Sequence, residues 1–218
     1  MRSRAVIGIL GVSTTAILSA LILWRSMVDP SSMGKLGLIG VFMASLLGHL
    51  TVVAKDMFLP MYLSLTSTYH PAALGLAAGT GAALGEVATY VLGWGIAETV
   101  GDGRSQTENK LADWIRRYGL WAVLLVASTP LPDTPIVLIA GSNRLPIGRL
   151  LIAELLGKTT LYSVGAIFGG YVFNGLVGVF GGLATSFLLV VVSILFCIGI
   201  TWSKSRELIL GWFDSLIR

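Results

Sequence analysis

Charge is what this sequence has least of. Asp, Glu, Lys and Arg together make up 12% of its 218 residues, about half of the ~25% usual in a soluble domain. That scarcity excludes a soluble enzyme and a disordered chain. Cysteine is almost absent as well. Cys197 stands alone in an apolar run, which excludes a disulfide scaffold and leaves it a packing role. The two histidines, His49 and His70, have no partners at metal-ligand spacing. No P-loop, dinucleotide fingerprint or nucleophile–base constellation is present, so neither an enzyme nor a cofactor is expected. What the chain has is apolar surface: 55% of it is hydrophobic and its mean hydropathy is +0.83. At ~20 residues per span, the length suits a single membrane domain of about four to six hydrophobic elements. The net charge of +4 reads as cytoplasmic loops of a membrane protein rather than as a nucleic-acid surface.

Ala5–Trp24 carries no charge over 20 residues and reads as a retained first transmembrane helix. Pro71–Val100 is a second span, interrupted only by Glu86 and Glu98. Thr159–Trp202 is uncharged for 44 residues, which suits two helices broken near Phe173-Asn174-Gly175 or Gly181-Gly182. The segment from Leu111 to Arg117 and the tail after Trp202 read as interfacial helices. Two apolar stretches stop short. Gly37–Ala54 ends at Lys55-Asp56, followed by Leu59-Pro60, and Leu120–Thr129 ends at Pro130-Leu-Pro132-Asp-Thr-Pro135. Prolines break a helix, and ten apolar residues do not cross ~30 Å of hydrocarbon. Both stretches read as re-entrant hairpins with tips at Asp56–Pro60 and Pro130–Pro135; two kinked full spans are the alternative.

A shift of 72 residues places Leu59-Pro60 on Leu131-Pro132, Leu84-Gly85-Glu86 on Leu156-Gly157-Lys158, Tyr90 on Tyr162 and Gly93 on Gly165. The expected fold is therefore an all-α membrane protein built on an inverted repeat of re-entrant hairpin plus transmembrane helix. Additional transmembrane helices lie at both ends. This topology gathers Arg2, Arg4, Arg104, Lys110, Arg116, Arg117, Arg144, Arg149, Lys204, Arg206 and Arg218 on one side, against Arg25 and Lys35 on the other. The asymmetry predicts a multi-pass protein of the cytoplasmic membrane with both termini in the cytoplasm.

Lys55, Asp56, Glu86, Asp133, Glu154 and Lys158 remain inside the membrane. Each costs ~2.5–3.5 kcal/mol to insert, so such groups pair or work. Glu86 and Lys158 are equivalent in the repeat and opposite in sign, so pseudo-symmetry can bring them together, as a structural ion pair or as part of a site. Asp56, Glu86 and Asp133 are the candidates for carrying protons; capping or a local bond to Lys55 is the plainer role of the two aspartates. Lys55, Arg144, Arg149 and Lys158 are the candidates for an ion pair or a phosphate, although anchoring to anionic headgroups also suits Arg149.

Gly81-Ala-Ala-Leu-Gly85-Glu86-x-x-x-Tyr90-x-x-Gly93 resembles the Gly-x-x-Leu-Gly-Asp-x-x-x-Tyr-x-x-Gly segment of the DedA family, also known by its VTT domain. Leu59-Pro60 after Asp56 resembles that family's first hairpin. Pro130 to Pro135, with Ala140-Gly141 and Leu156-Gly157, resembles its second hairpin and following helix. The resemblance divides the chain into an N-terminal helix and loop (1–36), a DedA-like core (37–172) and a C-terminal helix with its tail (173–218). It implies movement of polyprenyl phosphate or phospholipid between leaflets, by a flippase or scramblase coupled to protons or sodium. It places Glu86 at the family's helix acid and Asp56 near its hairpin acid. Ala127 and Asp133 stand where the family usually has arginines, so Arg144 or Lys158 takes over the phosphate, or the lipid differs. The membrane acids also suit a proton-coupled transporter of small ions or solutes, and a non-transporting assembly protein is the third reading. Membrane lipids are the expected partners, and an oligomer is compatible with the sequence.

Overall fold

In the computed structural model, the described residues are 10–21, 35–51, 55–100 and 118–201. The expected interfacial helices at Leu111–Arg117 and after Trp202 lie outside them. So do Arg2, Arg4, Arg25, Arg104, Lys110, Arg116, Arg117, Lys204, Arg206 and Arg218. The described residues are helical and contain no strand. The helices are α1 (Leu10–Leu21), α2 (Leu38–Leu50), a 3₁₀ turn (Lys55–Phe58), α3 (Leu59–Ser64), α4 (Pro71–Val100), α5 (Leu120–Ala127), α6 (Thr134–Ser142), α7 (Ile147–Phe180) and α8 (Gly182–Thr201).

Lengths sort these helices into two kinds. Two of them, α4 with 30 residues and α7 with 34, are long and apolar enough to cross a membrane. At 1.5 Å per residue, α2 reaches only about 20 Å, α5 about 12 Å and α6 about 14 Å. These short helices occupy the two stretches that stop short in the sequence. Prolines mark the start of the second helix in each pair, with Pro60 in the first turn of α3 and Pro135 in that of α6. There the missing N–H costs no helical bond. Pro132 is half-buried just before α6, and Pro130 is exposed in the turn after α5. Gly37 and Gly119 precede α2 and α5 with nearly the same backbone, φ 56° and ψ −128° or −129°. That conformation favours glycine.

Packing repeats as well. Gly85 on α4 lies against the backbone of Leu46 and Leu50 on α2. Gly157, its counterpart on α7, lies against Leu124 and Ala127 on α5. Gly93 on α4 meets the Leu138 carbonyl on α6, and Gly170 on α7 meets Thr66 just beyond α3. Each long helix therefore touches the first helix of the short pair before it and the region of the second helix of the other pair. Gly75 faces Ser163 and Gly79 faces Thr159, so α4 and α7 run antiparallel with backbones in close contact. Small residues permit such an approach between helices in lipid.

Two apolar cores result. One joins α5 and α6 to Leu150 and Ala153 of α7. The other joins α2 and α3 to Leu74, Ala78 and Ala82 of α4 and to Tyr162, Ala166 and Phe173 of α7. The later half of α7 exposes Phe168, Tyr171, Val172, Val179 and Phe180. Of the two expected breaks in the last apolar run, the chain uses Gly181, at φ 79°, and the helix continues through Asn174-Gly175. The expected core boundary at residue 172 thus falls inside a continuous helix. Helix α1 lies within the expected first span, with Leu10, Ile17, Leu18 and Leu21 exposed.

Candidate functional site

The two helix breaks and the two long helices meet at one buried cluster of charge. Lys55 comes from the turn after α2, Asp133 from the turn before α6, Glu86 from the middle of α4, and Glu154 and Lys158 from α7. Lys55 Nζ donates to Glu86 Oε1 and, at 2.9 Å, to Asp133 Oδ1. Lys158 Nζ donates to Asp133 Oδ2 and, at 3.2 Å, to Glu86 Oε1. Two ammoniums and two carboxylates thus form a closed ring, each cation bridging both anions. Glu154 Oε2 stands 3.7 Å from Lys158 Nζ, within ion-pair range, yet neither oxygen of Glu154 has a hydrogen-bond partner. The Lys55 and Asp133 side chains are 11% exposed and that of Lys158 only 4%, so the ring has an outer edge and a sealed floor.

Local structure explains how these side chains arrive. Asp133 occupies the N-cap position of α6, where a short acid normally accepts from the first turn. Its side chain makes no cap bond here and turns to the two lysines instead, while its backbone carbonyl accepts from the amides of Ile136 and Val137. Glu154 and Lys158 are one helical turn apart and share a face of α7.

An aromatic floor lies beside the ring. Phe58 and Tyr162 meet edge to face with centroids 5.4 Å apart, and Tyr62 packs against both at inclinations of 60° and 62°. The Tyr62 hydroxyl donates to the Tyr162 carbonyl. His49 Nδ1 faces the Ser45 carbonyl at 2.9 Å, so that nitrogen carries a proton and donates. In the neutral ring, Nε2 then accepts from the Tyr162 hydroxyl at 3.3 Å. His49 is thereby a satisfied core histidine. Tyr62 carries no distinguishing signal in the sequence, and Tyr162 only its match to Tyr90 in the repeat.

Of the expected site residues, the structure brings together Lys55, Glu86, Asp133 and Lys158. Asp56 is half-buried on the Lys55 turn. Arg144 and Arg149 stand elsewhere. Arg144 Nη2 donates to Glu98 Oε2 at 2.5 Å, with its side chain 61% exposed and its backbone at φ 55°. Arg149 is exposed in the first turn of α7, about 14 Å along the axis from Lys158. Lys55 and Lys158 are the cations bonded to Asp133, and neither arginine shares in those bonds. Among the described residues no His, Cys, Asp and Glu cluster has the make-up of a metal site.

No curated protein and no solved structure matches the chain. The VTT domain family model matches residues 53–171, more than half of the sequence and the whole stretch from the Lys55 turn into α7. That domain defines the DedA family, and the chain is a member of this family of membrane proteins.

Proposed function

We propose that this protein moves a phosphate-bearing lipid, a polyprenyl phosphate or a phospholipid, between membrane leaflets as a flippase or scramblase. The observation that carries the reading is the charged ring. Its members come from both helix breaks and both long helices, so any rearrangement of one short pair against α4 or α7 must break or remake its bonds. In this reading α2–α3 and α5–α6 are re-entrant hairpins entering from opposite faces. The antiparallel α4 and α7, the matched glycines Gly37 and Gly119, and the reciprocal packing of long helices on short ones support it. Short helices with irregular turns are tolerated at membrane depth where protein buries them, as it does here. Lys55, on the outer edge of the ring, is the cation placed to exchange a carboxylate for a lipid phosphate. Protons or sodium are the coupling ions, acting at the carboxylates that hold the lysines.

The test is lipid movement in proteoliposomes. Purified protein carries labelled polyprenyl phosphate or phospholipid across the bilayer, and Glu86→Gln and Asp133→Asn abolish transfer without unfolding the protein. No movement of either lipid, with or without an ion gradient, rejects the proposal; ion flux without lipid movement points to a solute transporter. One observation favours a second, structural reading: each lysine already has two carboxylate partners, an arrangement that can hold four elements together with no ligand. A Glu86→Met/Lys158→Met protein that keeps full cellular function supports a non-transporting assembly role.

A further inference from the structure

The ring of Lys55, Lys158, Glu86 and Asp133 is electrically complete, with two positive and two negative charges sharing four hydrogen bonds. Glu154 is a fifth ionisable group, and no counter-charge is left for it. Both of its oxygens are buried without a hydrogen-bond partner. The residue has no exposure, and its closest ammonium, Lys158 at 3.7 Å, is committed to Asp133 and Glu86. The repeat sharpens the contrast. At the shift of 72 the counterpart of Glu154 is Ala82, equally buried in the other core. The position is thus one that the fold fills with an apolar side chain in one half and with an acid in the other.

An isolated carboxylate in such surroundings is far costlier than a neutral carboxylic acid. The groups around it are Lys158 on its own helix, Glu86 on α4, Asp133 before α6 and Lys55 after α2. Their charges cancel. From these contacts we infer that Glu154 is a proton-binding site of the buried cluster, occupied by a proton at neutral pH. It takes the proton in preference to Glu86 and Asp133 because each of those accepts two ammonium hydrogen bonds, which favour the ionised form, whereas Glu154 accepts none. The outer edge, where the Lys55 and Asp133 side chains are 11% exposed, is the more open side of the cluster, and Glu154 lies at its sealed end. No bond other than O–H changes: the proton arrives from water and leaves to water.

The inference concerns the same cluster as the proposed lipid movement but does not need that movement to occur. Infrared spectroscopy of the purified full-length protein at neutral pH reads it directly. The expected spectrum shows the carbonyl stretch of a protonated carboxylic acid, which shifts in deuterated buffer as the proton exchanges. In Glu154→Gln the band is lost and the protein stays folded, because an amide nearly matches a neutral acid in size. In Lys158→Met the band grows, because one ammonium then faces three carboxyl groups and a second proton is required. A wild-type spectrum without the band overturns the inference. A band that persists in Glu154→Gln overturns it too, as does a Glu154→Gln protein that cannot fold, since an ionised partner of Lys158 would then be indicated. Absence of lipid transfer in liposomes leaves the band untouched, so the two readings fail separately.

Discussion

Glu86 is the residue on which the cluster turns, because its Oε1 accepts from both lysines and it has no exposure at all. Removing one partner of a buried ion pair leaves the other charge uncompensated and costs about 3–5 kcal/mol. Glu86→Met and Lys158→Met are therefore each expected to lower the thermal midpoint of the detergent-purified protein clearly. The double variant removes one charge of each sign and loses less than the two singles combined. A double-mutant cycle measured by thermal unfolding reads that coupling; strictly additive losses would mean the pair does not interact. A second residue-scale expectation concerns Tyr62. Tyr62→Phe removes the hydroxyl that donates to the Tyr162 carbonyl and costs about 1 kcal/mol, the usual net worth of such a bond, in the same assay. Much of this site is legible in the sequence, because an ionisable residue in an apolar run stands out by its cost alone. The meeting of Glu86 with Lys158 is legible too, through the 72-residue shift. The double pairing of Lys55 is not, since it depends on how the turn at Lys55–Phe58 is set between α4 and the start of α6. Tyr62 and His49 carry no spacing signal; an aromatic ring or a lone histidine in an apolar segment looks like core until its partner is seen.

At the scale of elements, glycine decides how closely the helices approach. A Cβ at Gly93 or Gly141 would run into the backbone of Leu138 or Tyr90, which has no flexible end to yield. Overpacking of this kind costs typically ~1–3 kcal/mol. Gly93→Ala and Gly141→Ala are accordingly expected to lower the unfolding temperature and to loosen α4 from α6. Gly175 is the control. It lies within α7 with open space around it, so Gly175→Ala is expected to be neutral or to stabilise by up to ~1 kcal/mol through helix propensity. Equal losses at all three positions, read by thermal unfolding, would show that close approach is not what these glycines provide. The same physics explains what the sequence reveals of the elements. Prolines locate the starts of α3 and α6 at Pro60 and Pro135 because proline is tolerated in a first helical turn. Asn174-Gly175 is equally suggestive of a break, yet the helix runs through it. A glycine costs a helix only ~1 kcal/mol, whereas opening a turn among apolar side chains leaves backbone groups unpaired. The break falls instead where two glycines adjoin and Gly181 adopts positive φ.

For the molecule as a whole, the question is which way the two halves face. The antiparallel contact of α4 with α7 places the starts of these helices, and with them the two short pairs, toward opposite ends of the bundle. The distribution of lysine and arginine along the sequence then predicts a direction for that geometry. Arg144, in the turn between α6 and α7, and Lys35, before α2, are both described and fall on opposite sides of the expected topology. Arg144 is tied to Glu98 near the end of α4, so the end of α4 and the beginning of α7 share one face. A single-cysteine series makes the direction measurable, since Cys197 is the only native thiol. In a Cys197→Ala background, Lys35→Cys is expected to react with a membrane-impermeant thiol reagent applied to intact cells, and Arg149→Cys only after the membrane is opened. Arg149 is exposed and forms none of the cluster's bonds, so its replacement leaves the ring intact. Labelling of both cysteines from outside would put the two short pairs on the same face. It would remove the inverted arrangement and, with it, the reason for a charged ring shared between hairpins that enter from opposite leaflets.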